Sequence, residues 1–142
     1  MRVDILTLFP EVFTPYITTS IVGRAQKEHY ADIHLWNIRD YSADDRGTVD
    51  DTPYGGGAGM VMKIEPIHRC LEAVKQSRAR FTAGPEKRKI IVLSARGTQF
   101  TQQKAQEYSK LEHLILICGR YEGIDQRVAD HLADEEISVG PY

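Results

Sequence analysis

The chain has 142 residues, 42% hydrophobic and 27% charged, with a formal net charge of −2. These values suit one soluble globular domain long enough to bury a single core. No segment reaches membrane-spanning length, and the balanced charge gives no electrostatic sign of a nucleic-acid partner.

Met1 to Pro10 is no signal peptide, because Asp4 and Pro10 interrupt its apolar run. Val3 to Phe9 reads as a buried strand. Pro10 and Glu11 suit the first turn of a helix, and Pro15 requires that helix to be short. Ser20 is expected to cap a second helix through Arg24, Ala25 and Lys27. Ile33 to Ile38 reads as the second strand, with His34 a strand residue and not a ligand.

From Arg39 to Met62 there is no apolar period, and a structureless loop of this length is unusual in a compact domain. It carries Asp50, Asp51, a Pro53-Tyr54 step, then Gly55, Gly56, Gly57 and Gly59. Consecutive glycines let backbone approach a ligand or act as a hinge. A nucleotide-phosphate loop fails, since no Lys-Ser/Thr pair follows and no strand precedes. The stretch is expected to be an active-site lid, mobile between Asp44 and Gly59.

Pro66 opens a helix with the apolar face Ile67, Cys70, Leu71 and Val74, leaving His68 solvated. A basic stretch from Ser77 to Lys89, including Arg78 and Arg80, reads as a solvated loop. Ile90 to Leu93 is a short strand closed by Ser94-Ala-Arg-Gly97. Thr101 caps a helix from Gln102 to Lys110. His113 to Cys118 is a continuous apolar run, hence a strand buried on both faces. It stops at Gly119 and is followed by Arg120, Tyr121, Glu122 and Gly123. Ile124, Val128 and Leu132 then recur at helical spacing, and Glu136 to Val139 reads as a last strand. Cys70 and Cys118 lack metal-ligand spacing and are expected to be reduced and buried, in a cytoplasmic protein.

Helices between these strands imply a mainly parallel sheet flanked by helices, an α/β fold. The ends Ser94–Gly97, Gly119–Gly123 and Gly140–Tyr142 would then open on one rim. Small residues there suit a flat heterocycle and ribose, as in an adenosine-containing cofactor, better than a polyphosphate.

Several motifs together resemble the bacterial tRNA guanine-N1 methyltransferase family, of the SPOUT superfamily with its trefoil-knot methyltransferase domain. They are Asp4-Ile-Leu-Thr-Leu-Phe-Pro10, Gly23-Arg24-Ala25, Thr48 through Met60, Leu93-Ser94 with Gly97, Cys118 through Asp125, and Ser138-Val139-Gly140 with Tyr142. The resemblance implies S-adenosyl-L-methionine as cofactor and methylation of N1 of the guanosine 3′ of the anticodon in tRNA. It further implies homodimers, and Mg2+ supporting the carboxylates. Cofactor contacts carry over to Leu93, Ser94, Gly119, Tyr121, Gly123, Val139, Gly140, Pro141 and Tyr142. Catalytic positions carry over to Arg120, Glu122 and Asp50, with no residue assigned as a metal ligand.

The first loop departs from the family in reading Ser-Ala-Arg-Gly where Ser-Pro-Gln-Gly is common. Pro141 replaces a frequent Asp, and Arg80 to Glu86 resembles an insertion. The family continues past Tyr142 into a segment with the usual general base and a helical tRNA-binding domain. The 142 residues therefore resemble the cofactor-binding part, truncated at the knot, which is expected to be shallow and inactive alone. The alternatives are a dimerising cofactor-binding module without turnover, and a related knotted rRNA methyltransferase.

Overall fold

Strands in this chain are apolar on both faces, and a sheet built from them needs helices on both sides. The computed structural model describes residues 1–53, 55–77 and 84–141. The strands are β1 (Arg2–Thr7), β2 (Asp32–Asn37), β3 (Asp50–Asp51), β4 (Val61–Met62), β5 (Arg88–Gln99), β6 (His113–Cys118) and β7 (Glu135–Ser138). The helices are α1 (Pro10–Thr18), α2 (Ser20–Lys27), α3 (Ile64–Gln76), α4 (Gln102–Tyr108) and α5 (Gln126–His131).

Five strands form one sheet in the order β2-β1-β6-β5-β7, every neighbouring pair parallel. Leu6, Ile117 and Val92 lie in one cross-strand row. Their face is covered by Ile67, Cys70, Leu71 and Val74 of α3 and by Val128 of α5. On the other face Ile91, Leu114 and Ile137 pack with Tyr108 of α4. The α3 stripe expected from its 3.6-residue period is fully buried.

One polar cluster sits inside this apolar frame. Asp4 is fully buried and accepts from the Arg2 guanidinium at 2.7 and 2.9 Å and from Trp36 Nε1 at 2.7 Å. His113 Nε2 meets its other side at 2.6 Å. Burial alone would raise the Asp4 carboxyl, but these partners hold it at about 2. Ionised, the carboxylate only accepts, so His113 Nε2 carries the proton between them.

Several expectations are corrected. Helix α1 continues through Pro15, and none of its residues is buried. The Glu11 carbonyl that Pro15 deprives of a donor is therefore on an exposed element, where water replaces the bond. Thr19, not Ser20, is the N-cap of α2, and its hydroxyl donates back to the Pro15 carbonyl at 2.9 Å. Cys118 is half-buried, unlike the buried Cys70.

β5 does not close at Ser94 but runs on to Gln99. Leu93 and Thr98 both pair with Ile137, so residues 94–97 bulge out of the strand. Gly97 makes this possible: a Cβ there would lie 2.5 Å from the Ile137 backbone. β7 ends at Ser138, leaving Val139 outside it.

Segment 39–62 is not structureless either. A 3₁₀ turn (Ile38–Tyr41) and the antiparallel β3/β4 pair secure its two ends, with Val49 and Met62 fully buried. Two-residue strands carry no legible period, so the pattern missed them. Much of the basic stretch, including Arg78 and Arg80, lies outside the described residues.

Candidate functional site

The connections of the sheet place a crevice. β5 feeds α4 and the chain returns to β6 on one side of β5; β6 feeds α5 and the chain crosses to β7 on the other. Adjacent strands whose connections leave in opposite directions open a gap beyond their carboxyl ends, the usual ligand position in such sheets.

A cavity of about 1130 Å³ occupies this position, slightly larger than most small-molecule pockets. Leu93, Ser94, Ala95 and Arg96 of the β5 bulge form one wall, and Gly119 through Arg127 form another. A third comes from Asp51, Thr52, Pro53 and Gly55, with Val61, Met62, Lys63 and Glu65.

The turn after β6 is held in an uncommon backbone state. Tyr121 has φ 59°, a left-handed conformation costing roughly 1–2 kcal/mol for a residue of this type. Its hydroxyl accepts from Arg39 Nη2 at 3.2 Å, while Arg39 Nη1 donates to the Gly47 carbonyl at 3.3 Å. The Arg120 guanidinium lies over the Phe9 ring, 5.5 Å from its centroid, a cation–π contact.

Glu122 is tied to the glycine-rich segment. Its N–H donates to the Met60 carbonyl at 3.0 Å. Met62 N–H donates to the Gly123 carbonyl at 2.9 Å, and Asp125 N–H to the Met62 carbonyl at 3.0 Å. Residues 60–62 and 122–125 are thereby zipped together. The lid stem and the second loop, separate in the sequence reading, share one wall.

Asp125 caps α5, accepting from Arg127 N–H at 3.0 Å and from its guanidinium at 2.6 Å. The Arg127 guanidinium holds the Asp125 carboxyl below the usual carboxylate range. Arg96 Nη2 donates to Gln126 Oε1 at 2.6 Å, joining the β5 bulge to α5.

Of the residues singled out from sequence, Leu93, Ser94, Gly119, Arg120, Tyr121, Glu122 and Gly123 all line the cavity. Asp50 does not: it pairs with Met62 in β3, and its neighbour Asp51 faces the cavity instead. Val139, Gly140 and Pro141 are not among the lining residues either. They follow β7, the edge strand beyond β5, whose own Glu136 does line the cavity. Ser138 Oγ donates to the Gly140 carbonyl at 2.7 Å, folding that end on itself. Tyr142 lies outside the described residues.

The sequence reading missed Arg96, Asp125 and Arg127 as wall residues. The Asp125 position was legible as an N-cap, an Asp directly before a helical apolar spacing.

Comparison with known proteins agrees with this architecture. A family model described as tRNA (Guanine-1)-methyltransferase TrmD matches residues 1–142. A tRNA (guanine-N(1)-)-methyltransferase of Geobacter sulfurreducens is 49% identical over the whole chain and 55% of its own length. The protein of the same name from Brevibacillus brevis is 46% identical, again with 55% of its length covered. A crystal structure of tRNA (m1G37) methyltransferase from Aquifex aeolicus superposes with a TM-score of 0.86 at 34% identity. It is matched over 100% of this chain and 61% of its own. The chain spans about half the length of the curated relatives it matches. With its full length inside the family model and its parallel sheet reproduced in a solved relative, the chain belongs to the tRNA (guanine-1)-methyltransferase family.

Proposed function

We propose that this chain is the cofactor-binding part of an S-adenosylmethionine-dependent methyltransferase acting on N1 of a guanosine in tRNA. The observation that carries the reading is the cavity at the β5/β6 switch point, walled by the family's own loop residues. The cofactor, when bound, supplies an electrophilic methyl group on a sulfonium.

The chain's residues fit such a ligand. Gly119 and the 94–97 bulge expose backbone donors and acceptors to a heterocycle and ribose. The carboxylates of Asp51 and Glu122 in the walls suit a cationic sulfonium. On this reading Leu93, Ser94, Gly119, Tyr121 and Gly123 hold the cofactor. Val139, Gly140, Pro141 and Tyr142 contribute from the edge of β7.

Methylation of guanine N1 requires loss of its proton and a donor for the charge gathering on O6. Glu122 faces the cavity as a carboxylate able to orient the base. Arg120, Lys63, Arg96 and Arg127 are the cations on the same walls. Arg120 must leave the Phe9 ring to serve. The resemblance assigns the general base to a segment after Tyr142, so Glu122 is proposed to assist and Asp50 to support the lid stem. No group of three His, Cys, Asp or Glu side chains among the described residues could hold a metal ion.

A second copy of the chain is the proposed partner. Val12, Tyr16 and Ile21 of the α1–α2 pair are 69%, 74% and 72% exposed, large apolar side chains that a second copy would cover. No helix among the described residues is long and apolar enough to cross a membrane. Cytoplasmic residence is proposed from the family.

Calorimetric titration with S-adenosylmethionine tests the reading. Saturable binding to the wild-type chain is expected, with loss in Gly119→Val. A Cβ at Gly119 would sit 3.2 Å from the Ile124 side chain and 3.6 Å from the Leu93 carbonyl, so the branched variant presses on Ile124 and fills the space over the glycine. Absence of binding by the folded wild-type chain would overturn the proposal.

A further inference from the structure

Five glycines of the lid segment have positive φ: Gly47, Gly55, Gly56, Gly57 and Gly59. Backbone conformation therefore accounts for glycine at all five, but only one also has a second reason. Beside Gly55, Gly56 and Gly57 an added Cβ would meet nothing within 4 Å. At Gly59 it would fall 2.3 Å from Glu122 Cγ and 2.9 Å from Cδ and Oε1.

We infer that Gly59 is a positioning residue for Glu122. Its bare Cα is the surface on which the Glu122 side chain rests. The glycine segment and the cavity carboxylate consequently take up position in one event. Glu122 N–H is already fixed to the Met60 carbonyl, so its backbone cannot withdraw without breaking the zipper. The side chain has only its own torsions with which to escape, and the missing Cβ of Gly59 leaves room for the present rotamer. Any displacement of residues 55–59 by a ligand then changes where the Glu122 carboxylate points. This role rests on the methyltransferase reading only for what Glu122 does; the packing is independent of it.

Two alanine variants separate contact from backbone strain, since Gly56 (φ 81°) and Gly59 (φ 92°) share the strain and differ in the neighbour. Hydrogen exchange at the Glu122 amide, normalised to the β6 amides, and the side-chain couplings of Glu122 are the readouts. Gly59→Ala is expected to raise Glu122 exchange about tenfold and to average its rotamer. Gly56→Ala is expected to leave both within about threefold of wild type.

In a Glu122→Ala background the clash is gone, so Gly59→Ala should then raise amide exchange at position 122 no more than Gly56→Ala does. Equal effects of the two glycine variants at Glu122, or an undiminished effect of Gly59→Ala in that background, would overturn the inference. A parallel titration with S-adenosylmethionine keeps the two proposals apart. If the wild-type chain binds no cofactor the functional reading fails, and the exchange data still decide the role of Gly59.

Discussion

At the scale of single residues, the most consequential group outside the cavity is Asp4, a carboxylate buried among Arg2, Trp36 and His113. Its folded value of about 2 lies below the ordinary 3.8. Its stabilisation is therefore complete above about pH 4 and is lost as the pH falls toward about 2. The amount is on the order of 2 kcal/mol. Urea unfolding across this window should show the loss, and Asp4→Asn should abolish the window. That variant should also cost about 3–5 kcal/mol at neutral pH, because Arg2 is left charged and buried. Unchanged acid sensitivity in Asp4→Asn would assign the effect to other carboxylates. The cysteines give a second residue-scale test. Burial pushes the Cys70 thiol up to about 12 and the Cys118 thiol up to about 11. Neither should react with a disulfide reagent at pH 7 until the chain unfolds, and rapid labelling of Cys118 would show an open route to β6.

Among the elements, the lid segment departs furthest from its sequence reading. The sequence predicts mobility between Asp44 and Gly59, yet Val49 is fully buried and its carbonyl accepts from Lys63 N–H at 2.8 Å. Fast exchange is therefore expected at Gly55 to Ala58 and slow exchange at Met62 and Lys63. Equal protection along the whole segment would contradict this division. The 94–97 bulge is the other element of note. Gly97→Ala must push β7 away from β5, because the atom it would strike is backbone and cannot rotate aside. A loss of about 2–3 kcal/mol is expected from denaturant unfolding, larger than for an ordinary surface substitution. What could be read in advance follows from the signal each element carries. β6 and α3 announced themselves by a continuous apolar run and a 3.6-residue stripe. Gly119 to Gly123 stood out because a glycine pair brackets a cation, a ring and a carboxylate. The pairing of residues 60–62 with 122–125 was illegible, being made by backbone groups that every sequence possesses. The β5 bulge was hidden because Thr98 and Gln99 resume the ladder after an interruption that looked like an end.

On the scale of the whole molecule, parallel strands and two helical layers create a gap where the β5 and β6 connections part, and residues 93–96 and 119–127 line it. The exposed apolar residues of α1 and α2 make a second copy the proposed partner. Sedimentation should show a dimer that Val12→Asp with Tyr16→Asp converts to monomer, whereas a monomeric wild type would leave that surface to another partner. The seat of the cofactor in the β5/β6 gap is the central claim. It is tested most directly by recording backbone amide shifts as S-adenosylmethionine is added to the chain. The account predicts saturable shifts concentrated at Leu93 to Arg96 and Gly119 to Asp125, with the β2 amides unmoved. Shifts centred on another face of the sheet, or none at saturating cofactor, would contradict it.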